Sequence, residues 1–430
     1  MKGTVKNAGH SRHSRQRSLI FKLGQIGHIL AVATLLCSLL GLSRAQAETI
    51  ASLASFTNGD GGQPYAGLVV YNGNLYGTTV YGGAKGVGTI FEISPSGGTP
   101  TTLWSFTGSS TDGAYPYGTL VQVKGKFYGT TQGGGASGCG TVFAFTPPAT
   151  SGQSGTVTIM HSFKVTDGNS PIGGLVMGTD GYLYGTTMQG GSKNEGTIFK
   201  ISPTSPYPLT SLYSFCAKAS CADGSFPYAG LVQHTNGNFY GTTSSGGNNG
   251  VGTIFAYTPG KNGSVGTLAI VHSFSDAEGE FPYAGLVLAT TGSFYGTTES
   301  GGLLNGQLNG QGTIFEFNPS NDTLTVAYVF GGNITAYGAN PYGTLVGYNG
   351  NFYGTTSVGG ADGYGTVFEI NSNDALVTLL SFNGNMGKGS NSIVGSQPVA
   401  GLLQYNGNFY GTTLRGGPSN VGTVFSIVTK

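Results

Sequence analysis

The sequence predicts an all-β fold, a seven-bladed β-propeller with four-stranded blades, from three observations. Tyr-Gly-Thr-Thr recurs seven times, at Tyr76, Tyr128, Tyr184, Tyr240, Tyr295, Tyr353 and Tyr410, with spacings of 52 to 58 residues. Three further markers keep step with it. They are a Gly-Thr-Ile/Val-Phe, a Ser-Phe or Val-Phe ending an apolar run, and a proline opening a Gly-Leu run. Finally, segments such as Phe239-Tyr240-Gly241-Thr242 put large rings on both faces. Both faces must then be buried, as in a blade held between two others.

Each unit reads as four short strands. The first, as in Ala66-Gly67-Leu68-Val69, is poor in bulk and suits the crowded strand nearest the axis. The second follows an Asn-Gly turn such as Asn72-Gly73, which a two-residue hairpin favours because it needs positive φ. The glycine after each tyrosine is expected to let the next sheet approach closely. Gly-Thr-Ile/Val-Phe opens the third strand, and the run ending in Ser-Phe is the fourth. A fourth-type strand, Ile50 to Phe56, comes first in the chain, and a third-type strand, Gly422 to Val428, comes last. The N-terminal strand is therefore expected to complete the last blade. Separate units of about 55 residues would have too little core, whereas a closed ring buries both faces of each.

Residues 1–28 carry basic and no acidic residues, Ile29 to Leu42 are almost wholly apolar, and Ala45-Gln46-Ala47 follows. That order reads as a signal peptide over residues 1–47, cut after Ala47, with a single propeller domain over 48–430. Without it, eleven basic residues face seventeen acidic ones, a net charge of −6, so a basic nucleic-acid face is excluded. Charged residues are only 8% of the chain, and Asn, Ser, Thr and Gly must supply the polar surface. Glycine, at 79 of 430 residues, would suggest disorder were the aromatics not placed so regularly.

The pattern Pro-Tyr-x-Gly-Leu, Asn-Gly-Asn-Phe-Tyr-Gly-Thr-Thr, Gly-Gly, Gly-Thr-Ile-Phe resembles the Gloeobacter/Verrucomicrobia tandem repeat of bacterial "choice-of-anchor" surface proteins. More distantly, the strand order and the Gly-Gly are similar to Kelch repeats. The resemblance implies an exported propeller-like protein, often with a C-terminal sorting segment. This chain departs there, ending at Lys430 without an apolar tail, which puts C-terminal anchoring in doubt.

Chemistry-bearing motifs are sparse. His161, His234 and His272 show no metal spacing, and no metal or other cofactor is expected. His161 and His272 fall at an outer-strand position that Ala54, Trp104, Tyr213, Tyr328 and Leu380 fill elsewhere, so it reads as permissive. Gly133 to Gly138 fit Gly-x-Gly-x-x-Gly but join two strands, and the match is read as accidental. Asp60, Asp112, Asp167, Asp223 and Asp276 are taken as repeat-equivalent turn formers rather than a catalytic pair. Cys216 and Cys221 lie in one loop, where export would permit a disulfide. Cys139 has no evident partner.

One candidate site remains, from topology. Fourth-to-first and second-to-third loops share one face of a propeller. That face collects the Asp-Gly turns and Tyr65, Tyr117, Tyr228, Tyr283 and Tyr342, where two units have Ile172 and Val399 instead. Rings around a polar mouth can stack on sugars or grip an extended peptide; packing against the next blade is the bland alternative. The leading expectation is a secreted or cell-surface monomer that binds a glycan or protein partner without catalysis. A polysaccharide hydrolase or lyase using unrepeated acids such as Glu278, Glu280 and Glu299 is the second, and a structural scaffold the third. Unrepeated polar residues clustered at one side of the channel would favour the enzyme, and a ring of equivalent groups binding.

Overall fold

The computed structural model describes residues 49–428 apart from 151, 261–264 and 385–394. The signal segment read at residues 1–47 lies outside them. The described residues form one compact unit.

Seven four-stranded antiparallel sheets form a propeller. Blade 1 shows the plan, with strands Val69–Tyr71, Asn74–Thr79, Thr89–Ile93 and Thr101–Ser105 from the inside outwards. Blades 2 to 7 take the next six units in turn. In blade 6 an extra short strand, Ala339–Pro341, joins the sheet, and in blade 5 a small hairpin of Leu303–Leu304 with Gln307–Leu308 lengthens the second-to-third loop. Asn72 and Gly73 have φ of 49° and 82°, as a primed hairpin turn requires.

The inner strand is shorter than the sequence suggests. Pairing begins at Val69, so Ala66-Gly67-Leu68 stand outside the ladder. These inner segments instead pack on one another around the axis, backbone against backbone. A Cβ on Gly230 would come within 2.4 Å of the Gly174 carbonyl oxygen, and one on Gly173 within 2.7 Å of the Ala229 carbonyl carbon. The glycine after the marker tyrosine also serves another purpose than expected. A Cβ on Gly77 would lie 2.7 Å from Cζ of Phe91 and 2.9 Å from Cδ2 of Leu68, both in its own blade, so the glycine admits its own third strand's ring rather than the next sheet.

Each residue of Tyr-Gly-Thr-Thr has a separate task. The tyrosine ring lies against a second-strand phenylalanine of the next blade, as in Tyr184 with Phe239 at 4.0 Å and Tyr295 with Phe352 at 4.1 Å. The first threonine donates to a carbonyl of the next blade's inner segment, as from Thr186 to Ala229 at 2.8 Å and from Thr242 to Ala284 at 3.1 Å. The second hydrogen-bonds the third-strand threonine, as in Thr79 with Thr89 at 2.8 Å. Among the described residues, seven apolar clusters fill the seven blade-to-blade seams, each joining the third strand of one blade to the second and third of the next.

The ring closes through the N-terminal strand. Thr49–Ser55 pairs antiparallel with Thr423–Val428, from Thr49 opposite Val428 to Ser55 opposite Thr423. Its bulge at Ser52/Ala54 matches those between third and fourth strands elsewhere, as at Ile90/Phe91 and Ile254/Phe255. Phe56, fully buried, joins Leu68, Leu75, Phe91, Tyr410 and Val424 in the last seam.

Candidate functional site

Tyr65, Tyr117, Tyr228, Tyr283 and Tyr342 each follow the proline that opens an inner segment, so the fold brings all five to the channel. With Ile172 and Val399 they line one cavity of about 120 Å³. That is room for several water-sized groups, and well below the ~300–1,000 Å³ of sites that enclose a drug-sized ligand.

The rings pack on one another in a horseshoe. Consecutive centroids are 5.0 Å apart from Tyr117 to Tyr65, 6.0 Å to Tyr342, 5.1 Å to Tyr283 and 4.7 Å to Tyr228. Tyr65 and Tyr342 meet across the blade that carries Val399, while between Tyr117 and Tyr228 stands Ile172. All five are partly exposed, neither free platforms nor fully buried mortar. Burial raises the Tyr65, Tyr117, Tyr283 and Tyr342 hydroxyls above the ordinary phenol value, with hydrogen bonding to Tyr342 offsetting part of the shift at Tyr65. These four therefore line the mouth as neutral phenols.

The five aspartates do not join the tyrosines in the cavity lining. Four of them close the fourth-to-first loops. Asp60 accepts from the Thr57 N–H at 2.8 Å, and Asp112 accepts from Thr107 and Gly108. Asp167 accepts from Lys164 at 2.8 Å, and Asp223 from the Tyr213 hydroxyl at 2.6 Å and the Ala217 and Lys218 N–H groups. Asp276 is not their equivalent. In its unit Glu278 takes that place, accepting from the Ser275 N–H at 3.0 Å and preceding Gly279 as Asp60 precedes Gly61. The acid-before-glycine signal was present in the sequence.

The outer-strand position read as permissive is paired with these acids. His161 meets Asp167 at 3.1 Å, His272 meets Glu278 at 3.2 Å, and Tyr213 donates to Asp223. Burial raises the Asp112 carboxyl, and the Thr107 and Gly108 N–H groups draw it back. Three blades thus tie the fourth strand to its loop through a donor–carboxylate pair. Cys216 and Cys221 are disulfide-bonded in the Asp223 loop, and Cys139 is free and buried. Among the described residues, no three His, Cys, Asp or Glu side chains gather as a metal site.

A second feature common to all seven units, two residues before the mouth position, was missed from the sequence. The residue before each marker proline is left-handed in all seven units: Gln63, Tyr115, Ser170, Phe226, Phe281, Asn340 and Gln397, with φ from 52° to 60°. Such a backbone is a genuine outlier for Tyr and Phe. It is held from both sides, since the Tyr115 N–H reaches the Val87 carbonyl of the preceding blade at 2.8 Å and the Tyr115 carbonyl accepts from Gln132 at 2.9 Å. The Phe281 ring is nearly parallel to that of Tyr283, 6.2 Å away. Strain of this kind persists where surrounding structure over-determines it, and it gathers at ligand-binding sites. Only a structure could reveal it, because none of these residues is glycine.

Of the unrepeated acids, Glu278 is a loop carboxylate and Glu280 accepts weakly from Ser300 at 3.4 Å. Glu299 is different. Its N–H donates to Phe281 and its carbonyl accepts from the Asn340 side chain at 3.0 Å, which sets it between the loops that carry Tyr283 and Tyr342. Burial raises its carboxyl, and its charge acts on Tyr65 and Tyr283.

The model of the Gloeobacter/Verrucomicrobia repeat matches residues 42–220, 149–306 and 303–430. The chain belongs to this repeat family. Among curated proteins no sequence matches at a significant level. The solved structures of similar shape are distant in sequence. The extracellular domain of a hybrid two-component system from B. thetaiotaomicron is 11% identical with a TM-score of 0.54, and the match covers 88% of this chain and 39% of that one. A Bacteroides uniformis protein described as a 6-phosphogluconolactonase is 13% identical with a TM-score of 0.51, covering 82% and 90%. A puromycin hydrolase is 11% identical with a TM-score of 0.50, covering 84% and 52%. These identities show the propeller fold alone. Among the described residues, no helix is long and apolar enough to cross a membrane.

Proposed function

We propose that this repeat-family propeller is an exported, non-catalytic binding module whose tyrosine-lined mouth takes one end of a glycan or protein partner. The observation that carries this reading is the convergence of five repeat-equivalent tyrosines on one small cavity. Partly exposed neutral phenols suit stacking and hydrogen bonding together. Glycoside hydrolysis uses two carboxylates set around one bond, whereas Glu299 is the one acid tied to the tyrosines and burial alone accounts for its shift. Export rests on the basic, apolar and small-residue order of residues 1–47, with Glu48 as the mature N-terminus, and on a low-charge surface.

The test uses residues 48–430 on a glycan array, beside Tyr→Ala variants at Tyr65, Tyr117, Tyr228, Tyr283 and Tyr342. Binding that is lost in variants whose melting is unchanged supports the reading. If all five variants lower the melting temperature and none alters binding selectively, the tyrosines only hold the blades together.

A further inference from the structure

The mouth departs from its own repeat at one seam, between blades 5 and 6. In six units the first threonine of Tyr-Gly-Thr-Thr donates to a carbonyl of the next inner segment, but Thr297, 1% exposed, has no hydrogen-bond partner for its hydroxyl. A buried orphan of this kind asks for an explanation. Two residues further on, the side chain is Val80, Gln132, Met188, Ser244, Ser357 or Leu414 in the other units and Glu299 here. Ser244 and Ser357 turn their hydroxyls onto the Phe226 and Asn340 carbonyls, and Val80 is fully buried. Glu299 therefore brings a carboxylate to a place its repeats keep neutral. Among the described residues it has no hydrogen bond or ion pair from its side chain. Glu299 stands behind the cavity lining rather than in it, and that lining contains no Lys, Arg or His to balance it.

We infer that the mouth receives an alkylammonium group, held over the tyrosine rings and neutralised by Glu299 standing behind Tyr65 and Tyr283. An aromatic wall attracts a cation through its ring faces. A nearby carboxylate without a counter-charge adds attraction that water does not fully screen. The cavity of about 120 Å³ fits a headgroup and excludes a whole sugar chain, so the ammonium is the inserted end of a larger ligand. This inference rests on the binding reading above and names the chemistry that site recognises.

The experiment titrates the full mature chain by calorimetry with three cations, choline, butylammonium and glucosamine, and with their neutral counterparts 3,3-dimethylbutanol, butanol and N-acetylglucosamine. At least one cation should bind at least about tenfold more tightly than its neutral counterpart, and Glu299→Gln should remove that difference, as expected of one charge-assisted contact. The cation that binds best distinguishes a lipid-like or small quaternary headgroup, a lysine side chain and an amino sugar. Equal binding of each cation and its counterpart by the unaltered protein overturns the inference, and that comparison does not depend on any variant folding. Absence of cation binding also overturns it, while array binding that depends on the tyrosines would leave the wider binding reading standing. An unchanged preference in Glu299→Gln would remove Glu299 from the site.

Discussion

At the scale of single residues, the loop-holding carboxylates and Glu299, set between the Phe281 and Asn340 loops, should move stability in opposite directions on mutation. Asp223 is fully buried and accepts three hydrogen bonds, so Asp223→Ala should cost about 2–4 kcal/mol in a denaturant melt, given the worth of bonds to a charged group. Glu299 should behave otherwise. Its surroundings are the Tyr65 and Tyr283 hydroxyls, the Phe281 backbone and the Asn340 amide, and burial raises its carboxyl in the folded state. The folded protein then holds that proton more readily than the unfolded chain, and ionising it as pH rises past the unfolded value of about 4.3 opposes folding. Glu299→Gln should therefore melt higher than the parent at pH 7, with the gain vanishing below about pH 4. A melt at pH 7 that showed a loss would make Glu299 a structural residue.

At the scale of elements, the N-terminal strand is the one whose loss can be tested cleanly. Deleting residues 48–57 removes the fourth strand of the last blade together with the fully buried Phe56. The cost should be several kcal/mol, since one buried large apolar side chain is worth ~1.5–3 kcal/mol. A peptide of residues 49–57 added in trans should restore part of the melting temperature. A truncated chain that melts like the parent would show that the strand does not latch the ring. This closure was legible in the sequence, because strand type follows from the marker residues and the chain opens on the fourth kind. The inner strand was not legible to the same depth. Ala66-Gly67-Leu68 has a strand-like composition, but its pairing is decided by crowding against other blades, which no local pattern records. Asp276 misled for a related reason: the loops differ in length, so alignment on the nearest acid failed where alignment on the following glycine, Gly279, would have succeeded.

At the scale of the whole molecule, closure makes the position of the chain ends incidental to the packing. Thr49 and Val428 are paired partners, so a short linker between them would rebuild a third-to-fourth turn of the kind other blades contain. In blade 6 that turn spans residues 371–375 and is closed by the Asn371 N–H on Ala375. A permuted chain joined at 428 to 49 and opened within 371–375 should fold and melt cooperatively near the parent's temperature. Failure of that chain to give a single transition would mean that the native ends carry folding information beyond their packing. Fold class, blade number and the five tyrosines could be read from periodicity, because each is a property of the repeat. Thr297 and Glu299 could not, because their meaning lies in being exceptions, and an exception becomes visible only once the rule has a geometry.

The left-handed residue before each proline has a further consequence. Its conformation is enforced through the backbone, by an N–H bonded to one blade and a carbonyl bonded to its own, so the conformation itself places no demand on which side chain stands there. Gln, Tyr, Ser, Phe and Asn all occupy it at nearly the same φ. The propeller thus carries seven addressable positions on an invariant chassis, and duplication of a single unit has furnished a display whose lettering can be rewritten without redrafting the page.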